Sequence, residues 1–188
     1  AKSQIDNPTL ALVEFAEKRY ISDVAYTVTS GKEETVFCCH AHPSVGCEFV
    51  AAKIYRPGKF RGYKSMDTYR EGRVTLDHRA ARAMKNKSRR GRDFQETAWT
   101  GVEFQTLTRL FRAGADVPEP ILHTPASPPF VPAAAVLMEF LGDADGPAPM
   151  LRNVDLPPED ARDLFDLIID NIELWLADNI IHGDLSAS

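Results

Sequence analysis

The chain has 188 residues, 44% of them hydrophobic, enough to bury one sizeable core or two small lobes, and it holds no run of about 18 apolar residues that would span a membrane. Its formal net charge of −5 hides a polarity, because residues 56–92 carry thirteen Lys or Arg against three acids while the rest of the chain is acidic. Ala1-Lys2-Ser3-Gln4-Ile5-Asp6 shows no apolar signal or transit segment, and Cys38, Cys39 and Cys47 have no Cys-x-x-Cys spacing, so free thiols and a cytoplasmic location are expected.

In chain order, Pro8 to Tyr20 is expected to form a short helix, with Pro8 in its first turn and Leu12, Val13, Phe15 and Ala16 on one broad apolar side. Asp23 to Thr29 and Thr35 to Ala41 alternate as strands do, and Ser30-Gly31-Lys32-Glu33-Glu34 joins them as a hairpin with glycine at its tip. A third strand, Glu48 to Tyr55, places a single lysine, Lys53, in the apolar run Val50-Ala51-Ala52-Lys53-Ile54-Tyr55. An ammonium there destabilises the strand unless it meets a carboxylate or a phosphate.

Asp93 to Ala113 has helical periodicity, carries Glu96 and Glu103, and stops at Ala113-Gly114-Ala115. Val117-Pro118-Glu119-Pro120 then leads into Ile121-Leu122-His123. A proline-rich loop from Pro125 to Pro132 precedes a buried strand, Ala135 to Leu141. Gly142 to Met150 is expected to be an irregular, hinge-like linker. From Pro158 a long helix places Ala161, Leu164, Phe165, Ile168, Ile172 and Trp175 on an apolar face, with Glu159 and Asp160 at its positive end.

Two clusters admit more than one reading. The basic segment 56–92 is either a solvated insertion or a surface for phosphate, RNA or an acidic protein, the second helped by Phe60, Tyr63 and Tyr69 interleaved with Arg61, Lys64 and Arg70. Cys38, Cys39, His40, His42 and Cys47 superficially resemble zinc ligands. Adjacent strand residues point to opposite faces, however, and the spacing fits no finger, so no metal ligand is assigned.

Taken together, seven stretches resemble the RIO family of atypical protein kinases, over about residue 20 to the end. They are Thr29 to Val36, Ala52-Lys53-Ile54-Tyr55-Arg56, Trp99 to Glu103, Val117-Pro118-Glu119-Pro120, Val136 to Gly142, Pro147-Ala148-Pro149 and His182-Gly183-Asp184-Leu185-Ser186. The resemblance implies an α+β, protein-kinase-like fold. Residues 1–141 would form an antiparallel-sheet N-terminal lobe with 56–92 as its insertion, and 142–188 the hinge and the beginning of a helical C-terminal lobe. It also implies ATP-dependent phosphotransfer to Ser or Thr, or an ATPase-driven switch acting on a ribonucleoprotein, with ATP and Mg2+ as cofactors and a protein substrate.

Carried onto this chain, the resemblance has Ser30, Gly31, Lys32 and Val36 cover the ATP phosphates and Lys53 bind them while paired with Glu103, in preference to Glu96. Met138 would back the adenine pocket, and the backbone of Glu139 and Leu141 would give the base its hydrogen bonds. Asp184 would accept or orient the proton of the attacking hydroxyl, with His182 bracing its loop. Alternatives are a small-molecule phosphotransferase, which also uses a His-Gly-Asp loop, and a non-catalytic nucleotide-binding module.

Family members carry their magnesium-binding Asn and a second Asp beyond the position of Ser188. The 188-residue chain is therefore expected to bind ATP with little gain from magnesium and to transfer phosphate negligibly, whereas a longer chain with those residues should turn over. In the basic segment, replacing Arg89, Arg90 and Arg92 by Ala should weaken binding to a polyanion and flatten its salt dependence. An unchanged slope in that titration leaves a solvated insertion as the reading.

Overall fold

The computed structural model describes residues 7–56, 89–125, 133–183 and 185–186, with backbone alone for residues 7–9 and 89–99. Helix α1 (Asn7–Glu17) leads into strands β1 (Ile21–Ser30), β2 (Glu34–Ala41) and β3 (Phe49–Tyr55). Helix α2 (Arg89–Arg112) follows, then β4 (Pro120–Thr124) and β5 (Ala135–Glu139). After two short strands, β6 (Gly142–Asp143) and β7 (Gly146–Pro147), and a single 3-10 turn at Leu151–Asn153, the long helix α3 (Pro158–Ala177) completes the regular structure. Of the expected features, the insertion from 57 to 88, most of the proline-rich loop and Asp184 lie outside the described residues.

Strands β1 to β5 form one antiparallel sheet in the order β1-β2-β3-β5-β4. Its register separates two populations of side chains, because successive residues of a strand face opposite ways. Phe37, Cys39, Val50, Ala52, Ile54, Ala135 and Leu137 share the face that Ala11 and Phe15 of α1 cover, and they make the main core. The other face carries rows set by pairing: Glu34 opposite Tyr55, Val36 opposite Lys53 opposite Val136, and Cys38 opposite Ala51 opposite Met138. Lys53 thus interrupts an apolar run by one residue yet points away from the main core.

Cys38 and Cys39 accordingly enter different clusters, and all three cysteines are free thiols. Burial pushes the Cys39 thiol up to about 12, so it stays protonated at ordinary pH.

Helix α2 packs on the second face through β4, where the Thr100 hydroxyl meets His123 Nε2 at 3.1 Å and Phe104 stacks on the His123 ring. Each helix ends in the same way. The amides of Tyr20, Ala115 and Ile180 reach back to Phe15, Leu110 and Trp175, and the residue before each of them, Arg19, Gly114 or Asn179, takes a positive φ. That is the Schellman stop, which uses two otherwise orphaned carbonyls. Only at α2 does glycine fill the left-handed position, as the sequence implies.

Two expectations are corrected. Gly142 to Met150 is not an irregular linker, since β6 and β7 pair there, closed by Asp143 Oδ1 accepting the amides of Asp145 at 2.9 Å and Gly146 at 3.3 Å. A Cβ at position 142 would lie 2.3 Å from the Gly146 carbonyl, so glycine is what lets the two short strands approach. The buried side of α3 also differs from the apolar stripe read from its spacing. Phe165 is 59% exposed, while Leu164, Ile168, Ile172 and Trp175 are half-buried and the polar Asn171 is buried among them.

Asn171 is buried because it has a complete set of partners. Its Oδ1 accepts the Asp116 amide at 2.6 Å, and its Nδ2 donates to Asp116 Oδ2 at 2.7 Å and to the Leu167 carbonyl at 2.9 Å. Nearby, Arg109 near the end of α2 holds both the carboxylate and the carbonyl of Asp178 beyond α3. Two polar contacts thus join the end of α2 to α3.

Burial makes the core strands the sensitive element. Leu137→Ala should lower the unfolding free energy by about 2–5 kcal/mol in a urea titration. Phe165→Ser should stay within about 0.5 kcal/mol. Equal losses at both positions would contradict the assignment of faces.

Candidate functional site

The site grows from the problem posed by an ammonium in an apolar strand. Lys53, with its side chain 18% exposed, places Nζ 2.8 Å from Glu103 Oε1 on α2, the pairing that the resemblance implies. Glu103 reaches it because α2 packs on this second face of the sheet, against β4. The side chain of Glu96, the competing partner, lies outside the described residues.

A second carboxylate is present that the sequence reading did not assign to Lys53. Glu34, the first residue of β2, brings Oε2 to 3.0 Å from the same Nζ. Burial alone would pull the lysine down, but Glu103 and then Glu34 outweigh it, so Lys53 is held above the usual lysine range and stays charged. The fully buried Tyr55 lies beside this cluster, its ring centroid 5.3 Å from Nζ. Burial, then Glu103 and Glu34, push its phenol up, so it remains protonated.

The loop beside this cluster is fastened by Arg56, a residue to which no site role is assigned above. Arg56, immediately after β3, donates from Nη2 to Ser30 Oγ at 2.6 Å and to Thr35 Oγ1 at 3.0 Å, while its amide donates to the Glu33 carbonyl at 2.7 Å. Inside the loop the Gly31 amide donates to the Glu34 carbonyl at 2.9 Å. The hairpin tip is therefore clamped on both flanks, and Lys32 projects from it, exposed. A sequence signal for Arg56 existed in its position, one residue past the strand that carries Lys53, but nothing in composition separates it from the other twelve bases of its segment.

Val36, Lys53, Glu103 and Met138 thus lie at one face of the sheet, with Val36 directly opposite Lys53 and Met138 one pair along. Ser30, by contrast, pairs with Thr35, whose partner Ile54 faces the main core, so the structure does not bring the Ser30 side chain to the Lys53 face. The strand edge after Met138 is partly used by the protein itself. The Glu139 amide donates to the Glu119 carbonyl at 2.8 Å, and the exposed Leu141 gives its carbonyl to the Ala148 amide at 2.8 Å.

His182 belongs to a different part of the chain. The Asn179 stop turns the backbone out of α3, and the His182 ring comes to rest 5.5 Å from Trp175, followed by Gly183 at φ 76°. Asp184 lies outside the described residues. Among the described residues no three His, Cys, Asp or Glu side chains converge to hold a metal, and no helix is long and apolar enough to cross a membrane.

Comparison with known proteins gives a consistent answer. A family profile for the RIO domain matches residues 25–187. The chain is similar to the serine/threonine-protein kinase rio1 of Schizosaccharomyces pombe, 30% identical over 179 residues, which cover 94% of this chain and 32% of that protein. It is also similar to the serine/threonine-protein kinase RIO1 of Homo sapiens, 28% identical over 178 residues, covering 94% of this chain and 28% of that one. The chain thus spans about a third of the length of these relatives. In fold it resembles the crystal structure of the Rio2 kinase-ADP/Mg2+-phosphoaspartate complex from Chaetomium thermophilum, with a TM-score of 0.54 at 20% identity, over 88% of this chain and 40% of that one. The fold is therefore α+β and protein-kinase-like.

The charge cluster has a measurable pH signature. A lysine held above its ordinary value contributes stability that is complete below its unfolded pKa, about 10.4, and is lost as pH rises through the higher folded value. The stability advantage of the wild type over Lys53→Met should therefore shrink only as pH climbs beyond about 10.4, read by denaturant unfolding across the alkaline range. A gap that closes already near neutral pH would show that the two carboxylates do not hold the proton on Lys53.

Proposed function

The chain belongs to the RIO kinase family, and on that premise we propose that it contributes the nucleotide-binding half of an ATP-dependent phosphotransferase, a RIO-type serine/threonine kinase or an ATPase switch. The observation that carries this reading is the Lys53–Glu103 ion pair, formed across the sheet from a clamped hairpin loop. A lysine fixed by a helix carboxylate keeps both its charge and its direction, which is what a group that receives phosphate oxygens needs.

In this reading residues 1–141 are the nucleotide lobe and 142–188 begin the substrate lobe. Ser30, Gly31, Lys32 and Val36 lie over the phosphates, Met138 backs the base, and Lys53 takes the phosphate charge. At the strand edge the Glu139 amide and Leu141 carbonyl are engaged within the protein. The base would therefore meet the Glu139 carbonyl and the Leu141 amide, one acceptor and one donor, which suits the edge of an adenine.

Asp184 is the proposed base that accepts or orients the proton of the attacking hydroxyl, and His182, packed on Trp175, is its proposed brace. Magnesium, when bound with ATP, would neutralise the triphosphate. None of the described residues is assigned as its ligand. A protein hydroxyl is the proposed phosphate acceptor.

The test separates binding from turnover in the intact protein. Asp184→Ala should bind ATP as the wild type does and lose turnover by at least about a hundredfold, the scale of a positioned general base. Lys53→Met should lose both binding and turnover. Full phosphotransfer by Asp184→Ala would remove that residue from the reaction, and unimpaired ATP binding by Lys53→Met would remove the nucleotide reading of the site.

A further inference from the structure

The unexpected member of the site is Glu34. A phosphate-binding lysine paired with one helix carboxylate is electrically balanced, but here one ammonium faces two carboxylates, at 2.8 Å and 3.0 Å. Lysine has three N–H donors and no acceptor. Two of the three are directed to Glu103 and Glu34, and a phosphate oxygen taking the last would bring a third anion to a single cation. Like charges at such separations disfavour one another strongly in a half-buried site.

The two carboxylates are not equally free to leave. Glu103 projects from the middle of a helix that is packed on β4 through Thr100 and Phe104, close by on the same helix. Glu34, whose side chain is about as exposed as that of Glu103, stands instead at the end of a strand beside the loop. Its backbone, by contrast, is fixed: the Glu34 carbonyl accepts the Gly31 amide, and Arg56 holds the Glu33 carbonyl on one side and the Thr35 hydroxyl on the other. Departure of Glu34 therefore needs only a side-chain rotation toward solvent, a fast motion of small amplitude, with the loop left in place.

We propose that Glu34 is a resident counter-ion of Lys53 which incoming phosphates displace, so that it sets the affinity for phosphate-bearing ligands without affecting recognition of the base. This rests on the nucleotide-binding reading above and deepens it. In the absence of ligand Glu34 keeps Lys53 satisfied and pointed into the site. On binding, the phosphates take over the donor that Glu34 releases while Glu103 keeps the lysine aligned. Part of the phosphate interaction is spent on this exchange, and removing the Glu34 charge returns it as affinity.

The experiment measures dissociation constants for ATP, tripolyphosphate and adenosine on the intact protein and on Glu34→Gln, Glu34→Ala and Glu33→Gln. Glu33 carries the same charge in the same loop but is not one of the two carboxylates at Lys53. The expected result is ATP and tripolyphosphate binding about three- to fivefold tighter in both Glu34 variants, the scale of a partly exposed ion pair. Adenosine should be unchanged, and Glu33→Gln should change little. If Glu33→Gln tightens ATP as much as Glu34→Gln, a diffuse field acts rather than an exchange at Lys53, and the inference falls. If the wild type binds ATP and neither Glu34 variant binds it more tightly, the inference falls while the nucleotide reading stands. If neither ATP nor adenosine binds to any of the proteins, both fall.

Discussion

A charged lysine in the middle of an apolar strand is the condition that the rest of this lobe satisfies. Lys53 lies between Ala52 and Ile54, both buried in the main core, and the two-residue period of the strand sends it, with Ala51 and Tyr55, to the opposite face. On that face the ammonium requires anions, and the chain supplies them from two directions, a helix that crosses the sheet and a strand end beside the loop. The position of α2 is therefore an electrostatic matter as well as a packing one. The clamp by Arg56 belongs to the same scheme, since a carboxylate at a loose hairpin tip would not hold a fixed place against the lysine.

The sheet divides the work between its faces. One side, under α1, is closed by small and medium apolar residues and anchors stability. The other carries the ion cluster and the side chains around it, with Tyr55 and Val136 giving a dry floor. This separation lets the chemistry-bearing residues vary in charge state without opening the core. It also explains why adjacent Cys38 and Cys39 have different surroundings: neighbours in sequence, they belong to different faces.

Much of this lobe can be read from the residues. Alternation marks β1 to β3 to within two residues, Ala113-Gly114-Ala115 marks the end of α2, and the solitary lysine announces the need for a partner. Family resemblance then selects Glu103, a choice that periodicity alone leaves open. What escapes is set by contacts between distant segments. Glu34 reads as one more acid of a polar turn, and only the pairing of β2 with β3 brings it to Lys53. Asn171 is polar yet lies inside the apolar stripe, among Leu164, Ile168, Ile172 and Trp175, because a hydrogen-bonded partner 55 residues away satisfies it there, while Phe165 at the edge of the stripe stays outside. The β6–β7 pair is hidden because glycine and aspartate signal an irregular turn as readily as the tip of a short hairpin.

The contacts of Asp116 with Asn171 and of Arg109 with Asp178 have a mechanical consequence. Both fasten α2 near its C-terminal end, whereas Glu103 sits six residues earlier, about 9 Å up the helix axis. The helix is thus tied to α3 at its C-terminal end and to β4 through Thr100 and Phe104, which bracket the carboxylate that orients Lys53. A tilt of about ten degrees about the α3 contacts, which the β4 packing resists, would carry Glu103 by roughly 1.5 Å, enough to turn a 2.8 Å ion pair into a separated one. The ion pair at Lys53 therefore depends on how α2 is seated as a whole, on β4 as well as on α3.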